Sequence, residues 1–204
     1  MLHIVDDEDV IRDALEWLAQ SRGLAARGYA GGQAFLDALD AQSGLDAAAG
    51  NGTAADGECV LLDVRMPGMN GIAVFDQLVA RGLLARLPVI FLTGHGDVPM
   101  AVDSLKRGAF DFFEKPFNDN QLMDRVDEAL ARSRQAAASS AVRERLATLS
   151  AREREVLDLI LAGNMNKVVA DKLGISMRTV EVHRAHIFDK MQVKTAVELA
   201  GLLK

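Results

Sequence analysis

Across its first 133 residues the chain alternates short apolar runs with longer segments of helical period, five times over. Few folds accept that alternation: strand, crossover helix and next strand build a parallel sheet with helices on both faces. Leu2–Val5, Ala25–Tyr29, Cys59–Asp63, Val89–Thr93 and Phe110–Glu114 read as the strands. Val10–Ser21, Gly32–Ala41, Ile72–Arg81, Val98–Arg107 and Asp119–Arg134 read as the helices. The third run, CVLLD, stops on an aspartate and passes straight into the turn VRMPG. A carboxylate at the end of a buried strand needs a partner or loses its charge, so Asp63 is placed for chemistry.

Beyond residue 134 the pattern changes. RQAAASSAV is small and polar, a linker with the composition to continue the preceding helix. After it everything reads as helix. Ser150 with Glu153, and Thr195 with Glu198, have the spacing of capping boxes, in which a hydroxyl and a carboxylate three residues on satisfy the free N–H groups of a helix start. Helices are predicted over Ala151–Leu161, Asn166–Leu173, Met177–Met191 and Ala196–Leu203, with a turn at Gly174 and a cap at Ser176. The expected units are therefore 1–134, a connector 135–145, and 146–204. Between the second helix and third strand, residues 41–58 lack apolar periodicity and read as a surface loop on the edge opposite the strand carboxyl ends.

Charge follows the same division. Residues 1–140 carry 12 basic against 21 acidic side chains, whereas residues 141–204 carry 11 against 8, so an anionic partner belongs to the second unit. The single cysteine, Cys59, excludes an internal disulfide. No apolar stretch approaches bilayer length, and the N-terminus meets acid within a few residues, unlike a signal peptide. A cytoplasmic protein without a membrane partner is expected.

In a parallel sheet, ligands gather outside the strand carboxyl ends. Those ends deliver Asp6 and Asp7, then Asp63, then Thr93, then Lys115 and Pro116. Gathered carboxylates repel unless a cation enters, and oxygen-only donors favour a hard divalent ion such as Mg²⁺. A lysine and a hydroxyl at the rim suit a tetrahedral anion, so the set describes phosphoryl transfer to Asp63. Singly, each residue has an ordinary reading as turn, cap or strand end. Four at successive strand ends do not.

These residues carry a resemblance. IVDDE, LLDVRMPGMNG, FLTGHGDVPMAV and GAFDFFEKPF resemble the receiver domain of two-component response regulators, a five-stranded, doubly wound, flavodoxin-like α/β fold. The resemblance implies Asp63 as phosphoacceptor. It implies Mg²⁺ (or Mn²⁺) held by Asp6, Asp7, Asp63 and the Arg65 backbone carbonyl, with Thr93 and Lys115 on the phosphoryl oxygens. Phe112 takes the aromatic switch position, and the Lys115–Pro116 peptide is the one that is cis in that family.

In the second unit a scaffold helix, a Gly turn and a capped second helix form the helix-turn-helix signal. On Met177–Met191 the residues Val180, Ile187 and Met191 share one face with His183 beside them, so this stripe belongs to the core. Arg178, Glu181, Val182 and Ala185 lie opposite, with Arg184 and Lys190 to one side. An exposed valine there suits a major groove, where Val182 or Ala185 meets a thymine methyl and Glu181 accepts from a cytosine amine. His3, His95, His183 and His186 are too scattered for a metal cluster. The segment resembles the LuxR-type DNA-binding domain, a small all-α fold of four helices, and the whole resembles the FixJ/NarL subfamily, nearer FixJ.

That resemblance implies DNA contacts from Asn166, Lys167, Arg178, Thr179, Glu181, Val182, Arg184, Ala185 and Lys190, of which Lys167, Thr179, Arg184 and Lys190 face phosphates. It implies a dimerisation helix with Val197, Leu199 and Gly201. The expected function is a transcription factor, an activator, phosphorylated by a sensor histidine kinase, dimerising on a double-stranded operator and engaging RNA polymerase. It is not a turnover enzyme. Two rivals are a DNA binder with an inert receiver and a metal-dependent phosphatase.

Overall fold

The computed structural model describes residues 1–49, 57–94 and 98–203, with the backbone alone at 43–49, 98, 99 and 101. The chain divides into two compact units, Met1–Ala137 and Ala138–Lys204. In the first, β1 (Leu2–Val5), β2 (Ala26–Tyr29), β3 (Cys59–Asp63), β4 (Val89–Thr93) and β5 (Asp111–Glu114) alternate with α1 (Asp9–Ser21), α2 (Gly32–Ala49), α3 (Gly71–Ala80) and α4 (Val98–Lys106). Helix α5 (Asp119–Ala147) follows β5. The strands form one parallel sheet in the order β2-β1-β3-β4-β5.

Helices cover both faces, so the central strands β1, β3 and β4 are buried at every position rather than at alternate ones. Val60 and Leu62 of β3 enter one core with Phe35, Leu36, Val74, Phe75 and Phe91. Cys59 and Leu61 enter the other with Leu15, Ile90, Leu122, Met123 and Val126. The Cys59 thiol is wholly buried, and that burial pushes its pKa up to about 12, which keeps it neutral and unreactive.

The second unit is all-helical: α6 (Ala151–Leu161), α7 (Asn166–Leu173), α8 (Met177–Met191) and α9 (Ala196–Leu202) close over Leu149, Val156, Leu157, Ile160, Val169, Val180, Ile187, Met191 and Leu199. Local chemistry defines its helix ends. Ser150 and Glu153 form the expected capping box. Gly174 closes α7 in the left-handed conformation (φ 64°), which glycine adopts without steric penalty. Ser176 accepts from the Thr179 N–H at the start of α8. At α9 only half the box forms: Thr195 accepts from Glu198 N–H, but the Glu198 carboxylate reaches back to Lys194 N–H.

Two elements run longer than their sequence pattern predicts. Helix α2 continues to Ala49 instead of ending at Ala41, taking in eight residues read as loop. Helix α5 continues through residues 135–145 to Ala147. Both extensions are rich in alanine, whose helix propensity does not need an apolar stripe to reveal it. The rest of the expected loop, residues 50–56, and His95 lie outside the described residues.

Candidate functional site

The carboxyl edge of the sheet is built by the turns that leave it. After Asp63, the Arg65 N–H donates to Asp63 Oδ2 at 2.7 Å, so the strand-ending carboxylate folds back over its own turn. Gly68 (φ 74°) completes the turn, and Asn70 caps α3 by accepting from Ala73 N–H. Position 71 admits only glycine: a Cβ there would lie 2.1 Å from the Asp63 carbonyl oxygen. Just after β1, Asp6 Oδ1 accepts from Glu8 N–H at 2.9 Å, and Arg12 donates to the Asp6 carbonyl at 2.7 Å. Just after β5, Lys115 N–H donates to the Thr93 carbonyl at 2.7 Å, and the following Lys115–Pro116 peptide is cis.

These turns bring Asp6, Asp63 and Lys115 together. The Lys115 ammonium donates to Asp6 Oδ2 and to Asp63 Oδ1, each at 2.7 Å. Asp6 is wholly buried and Asp63 nearly so. Burial raises the Asp63 carboxyl above its ordinary range, and the bond from Lys115 opposes that rise. Burial pulls the Lys115 pKa down, but the two carboxylates outweigh it and hold the ammonium charged. Thr93 is buried at the next strand end, and Phe112 is half-buried against the first-face core. Pro116 is exposed.

Asp7 lines a cleft of about 590 Å³ with Val64, Arg65, Met66, Pro67, Asn70, Ile72 and Met100. Among the described residues no three of His, Cys, Asp and Glu stand close enough together to ligate a metal in this arrangement. The donor chemistry nonetheless fits a hard divalent cation. Asp6 and Asp63 present two carboxylates to the ammonium of Lys115, and with Asp7 next to Asp6 in the chain the acidic donors here are all oxygens.

On α8, Val180, Ile187 and Met191 are wholly buried. Arg178, Thr179, Glu181, Val182 and Ala185 are exposed, Val182 at 47 %. The Thr179 hydroxyl bonds the Ser176 hydroxyl at 2.7 Å, and Arg184 lies over the Phe188 ring. On α7, Lys167 is exposed and Asn166 half-buried. Met165 and Met177, at the starts of α7 and α8, are also exposed. Sequence reasoning passed over them; the signal available was a methionine at the N-cap of α7, where it supplies no cap bond.

One expected role changes, and one expected DNA contact already has partners inside the protein. Lys190, expected to face phosphate, donates to Glu153 Oε2 at 2.7 Å and to the Thr148 carbonyl at 3.2 Å. The pairing arises because Glu153, only 4 % exposed, requires a cation. Its carboxyl is lowered to about 2, first by the Lys190 bond and then by the bond from Ser150 N–H. Leu199, expected at a dimer contact, is instead wholly buried in the second unit's core, while Val197 at 83 % and Gly201 are exposed. Leu199→Ala should therefore destabilise this unit by about 2–5 kcal/mol, measured by chemical denaturation at protein concentrations well below those that support dimers.

A further buried network occupies the opposite edge of the sheet, where no sequence signal pointed. Glu58 meets His3 Nε2 at 3.4 Å and accepts from Arg86 Nε at 2.8 Å, while His3 Nδ1 lies 3.1 Å from the Tyr29 hydroxyl. Ser133 of α5 accepts from Glu58 N–H at 2.9 Å and donates to the Arg86 carbonyl at 2.5 Å.

The response regulator receiver domain matches residues 2–127, and the luxR family of bacterial regulatory proteins matches residues 147–203. The chain is a two-component response regulator. This response regulator is 50 % identical over 207 residues to the C4-dicarboxylate transport transcriptional regulatory protein DctR of Rhodobacter capsulatus, covering 98 % of each chain. It is 44 % identical over 205 residues to the transcriptional regulatory protein FixJ of Azorhizobium caulinodans, covering 98 % of this chain and 90 % of that one. Among solved structures, the response regulator StyR superposes with a TM-score of 0.68 at 34 % identity, over 99 % of this chain and 96 % of its own. Full-length FixJ from B. japonicum gives 0.55 at 38 % identity, over 98 % and 94 %. The response regulator is of the FixJ/NarL type, with a receiver fold joined to a LuxR-type DNA-binding domain. No helix among its described residues is long and apolar enough to cross a membrane.

Proposed function

We propose that this response regulator accepts a phosphoryl group on Asp63 from a sensor histidine kinase and then binds double-stranded DNA as a homodimer, activating transcription through RNA polymerase. The observation that carries the reading is the single ammonium shared by Asp6 and Asp63 at 2.7 Å, at the strand edge where an anion is received. A carboxylate oxygen of Asp63 attacks phosphorus, the P–N bond to the kinase imidazole breaks, and the imidazole nitrogen takes up a proton. Lys115 and the Thr93 hydroxyl hold the phosphoryl oxygens. Asp6, Asp7, Asp63 and the Arg65 carbonyl would hold Mg²⁺ or Mn²⁺, which supplies charge neutralisation when bound.

The acyl phosphate adds about −1.5 to −2 charges and new acceptor oxygens. Thr93 moves toward them, Phe112 turns into the space released, and the face around β5 changes. Residues 1–134 act as the receiver, 135–145 as a helical connector continuing α5, and 146–204 as the DNA-binding unit; the two family matches, ending at 127 and beginning at 147, support this division. The protein works in the cytoplasm, beside its kinase and DNA, and turns over no substrate besides its own phosphoryl group.

Identity to DctR supports promoters of C4-dicarboxylate transport genes as the operator class. Titration of the full-length chain against such promoter DNA at fixed salt, with and without acetyl phosphate and Mg²⁺, tests the reading. Unchanged affinity on phosphorylation would favour the inert-receiver alternative. On α8, Arg178, Glu181, Val182 and Ala185 read bases and Thr179 and Arg184 meet phosphates, while on α7 Lys167 meets phosphate and Asn166 borders it. Val182→Ala should change preference at one base-pair position by about fivefold, the equivalent of about 1 kcal/mol, in a selection from random-sequence DNA. A uniform loss over all sequences would contradict that face.

A further inference from the structure

We propose that Lys190 is a positioning residue, tying the last turn of α8 to the joint between α5 and α6 and so setting the angle at which the exposed face of α8 meets DNA. The proposal rests on α8 being the helix that enters the groove. Two protons of the Lys190 ammonium are directed into the protein, one to the Glu153 carboxylate at 2.7 Å and one to the Thr148 carbonyl at 3.2 Å. Thr148 lies just beyond the end of α5, and Glu153 belongs to the capping box that starts α6. Arg145, in the last turn of α5, reaches the Met191 carbonyl at 3.5 Å, so the same end of α8 is held twice. His186 Nδ1 stands 3.8 Å from the other Glu153 oxygen, adding a weaker contact from the preceding turn of α8.

To meet a phosphate, Lys190 would have to abandon a nearly buried carboxylate, and a buried charge left without its partner is strongly destabilising. The cost falls on DNA binding through a lever. At 1.5 Å per residue, Arg178 lies about 18 Å along α8 from Lys190, so a tilt of about 5° at the clamp displaces Arg178 by about 1.5 Å. Base-edge hydrogen bonds do not survive such a shift, whereas phosphate contacts tolerate it.

The test uses the full-length chain carrying Lys190→Met, Glu153→Gln or both, with Lys167→Met as the phosphate-contact comparator. Binding is measured over a range of salt on a duplex selected by the wild type from random sequence and on a scrambled duplex. Lys190→Met is expected to lose tenfold or more on the selected duplex, less than twofold on the scrambled one, and none of the salt slope. Lys167→Met is expected to lower that slope by about 0.9. In the Glu153→Gln background, Lys190→Met should add less than twofold. A slope reduced by about 0.9 with equal loss on both duplexes, or the same loss in both backgrounds, overturns the proposal.

Without DNA, backbone hydrogen exchange over residues 148–154 should rise in Lys190→Met; unchanged exchange also overturns it. Should Lys190→Met fail to fold, Lys190→Gln, which keeps a donor but no charge, takes its place under the same criteria. A wild type that selects no duplex would sink the DNA-binding reading, and the exchange measurement would still decide whether the clamp exists.

Discussion

Asp63→Asn is expected to abolish the acetyl-phosphate adduct seen by intact-mass spectrometry and, with it, the gain in DNA affinity. A coupling between two sites of this kind is typically about 5- to 150-fold, so the loss is large enough to measure by titration. The same variant reports on the pocket's electrostatics. Burial raises the folded-state pKa of Asp63 above its ordinary value of 3.8, with Lys115 opposing. A carboxyl raised in the folded state favours folding at low pH, and that contribution is lost as pH rises through the folded value. The stability of Asp63→Asn relative to wild type should therefore climb as pH rises above 3.8 and then level off. A difference that is flat with pH would show that Asp63 does not ionise against a penalty. Survival of the adduct in this variant would remove Asp63 as the acceptor.

The second large effect belongs to Lys115→Met. This change keeps the stem and removes the charge shared by Asp6 and Asp63, whose side chains are 0 % and 9 % exposed. Removing one partner of a buried ion pair costs about 3–5 kcal/mol, and the partial exposure of Lys115 places this case near the lower figure. Because Lys115 is held charged above its ordinary pKa of 10.5, its contribution is intact at neutral pH and lost only as pH rises beyond that value. Urea denaturation of the first unit at pH 7 should thus show a lower midpoint, with the deficit shrinking in acid as a carboxylate takes up a proton. Millimolar Mg²⁺ should recover part of it if Asp6, Asp7 and Asp63 hold the ion. A midpoint equal to wild type in all three conditions would mean the two carboxylates need no cation.

How legible these features were in the sequence depended on the range of the forces involved. Strand β3, its terminal Asp63 and the turn after it are local: an apolar run, a side chain that accepts from a backbone N–H two residues on, and glycines where the chain must turn or pass close. The caps of α6, α7 and α8 are equally local. The extension of α2 was missed, and that of α5 was legible from composition alone, because periodicity reports burial and an alanine-rich segment forms helix without burying a stripe. The pairing of Lys190 with Glu153 was not foreseen because Glu153 lies 37 residues away and is drawn in by folding alone. Leu199 was misread because α9 spans only seven residues, too few for a buried face to separate from an exposed one. The network around Glu58 joins residues up to 75 apart, beyond any motif.

Ser133 shows what that last network does for movement. Its hydroxyl stands midway along α5, bonded on one side to the N–H leading into β3 and on the other to the carbonyl leading into β4. Sliding the helix along its axis by even one residue would strand the buried N–H of Glu58, at about 1–3 kcal/mol, and shear the Ser133–Arg86 bond as well. Helix α5 therefore cannot act as a piston. Ser133 thus fixes the register of α5 on the first unit's sheet.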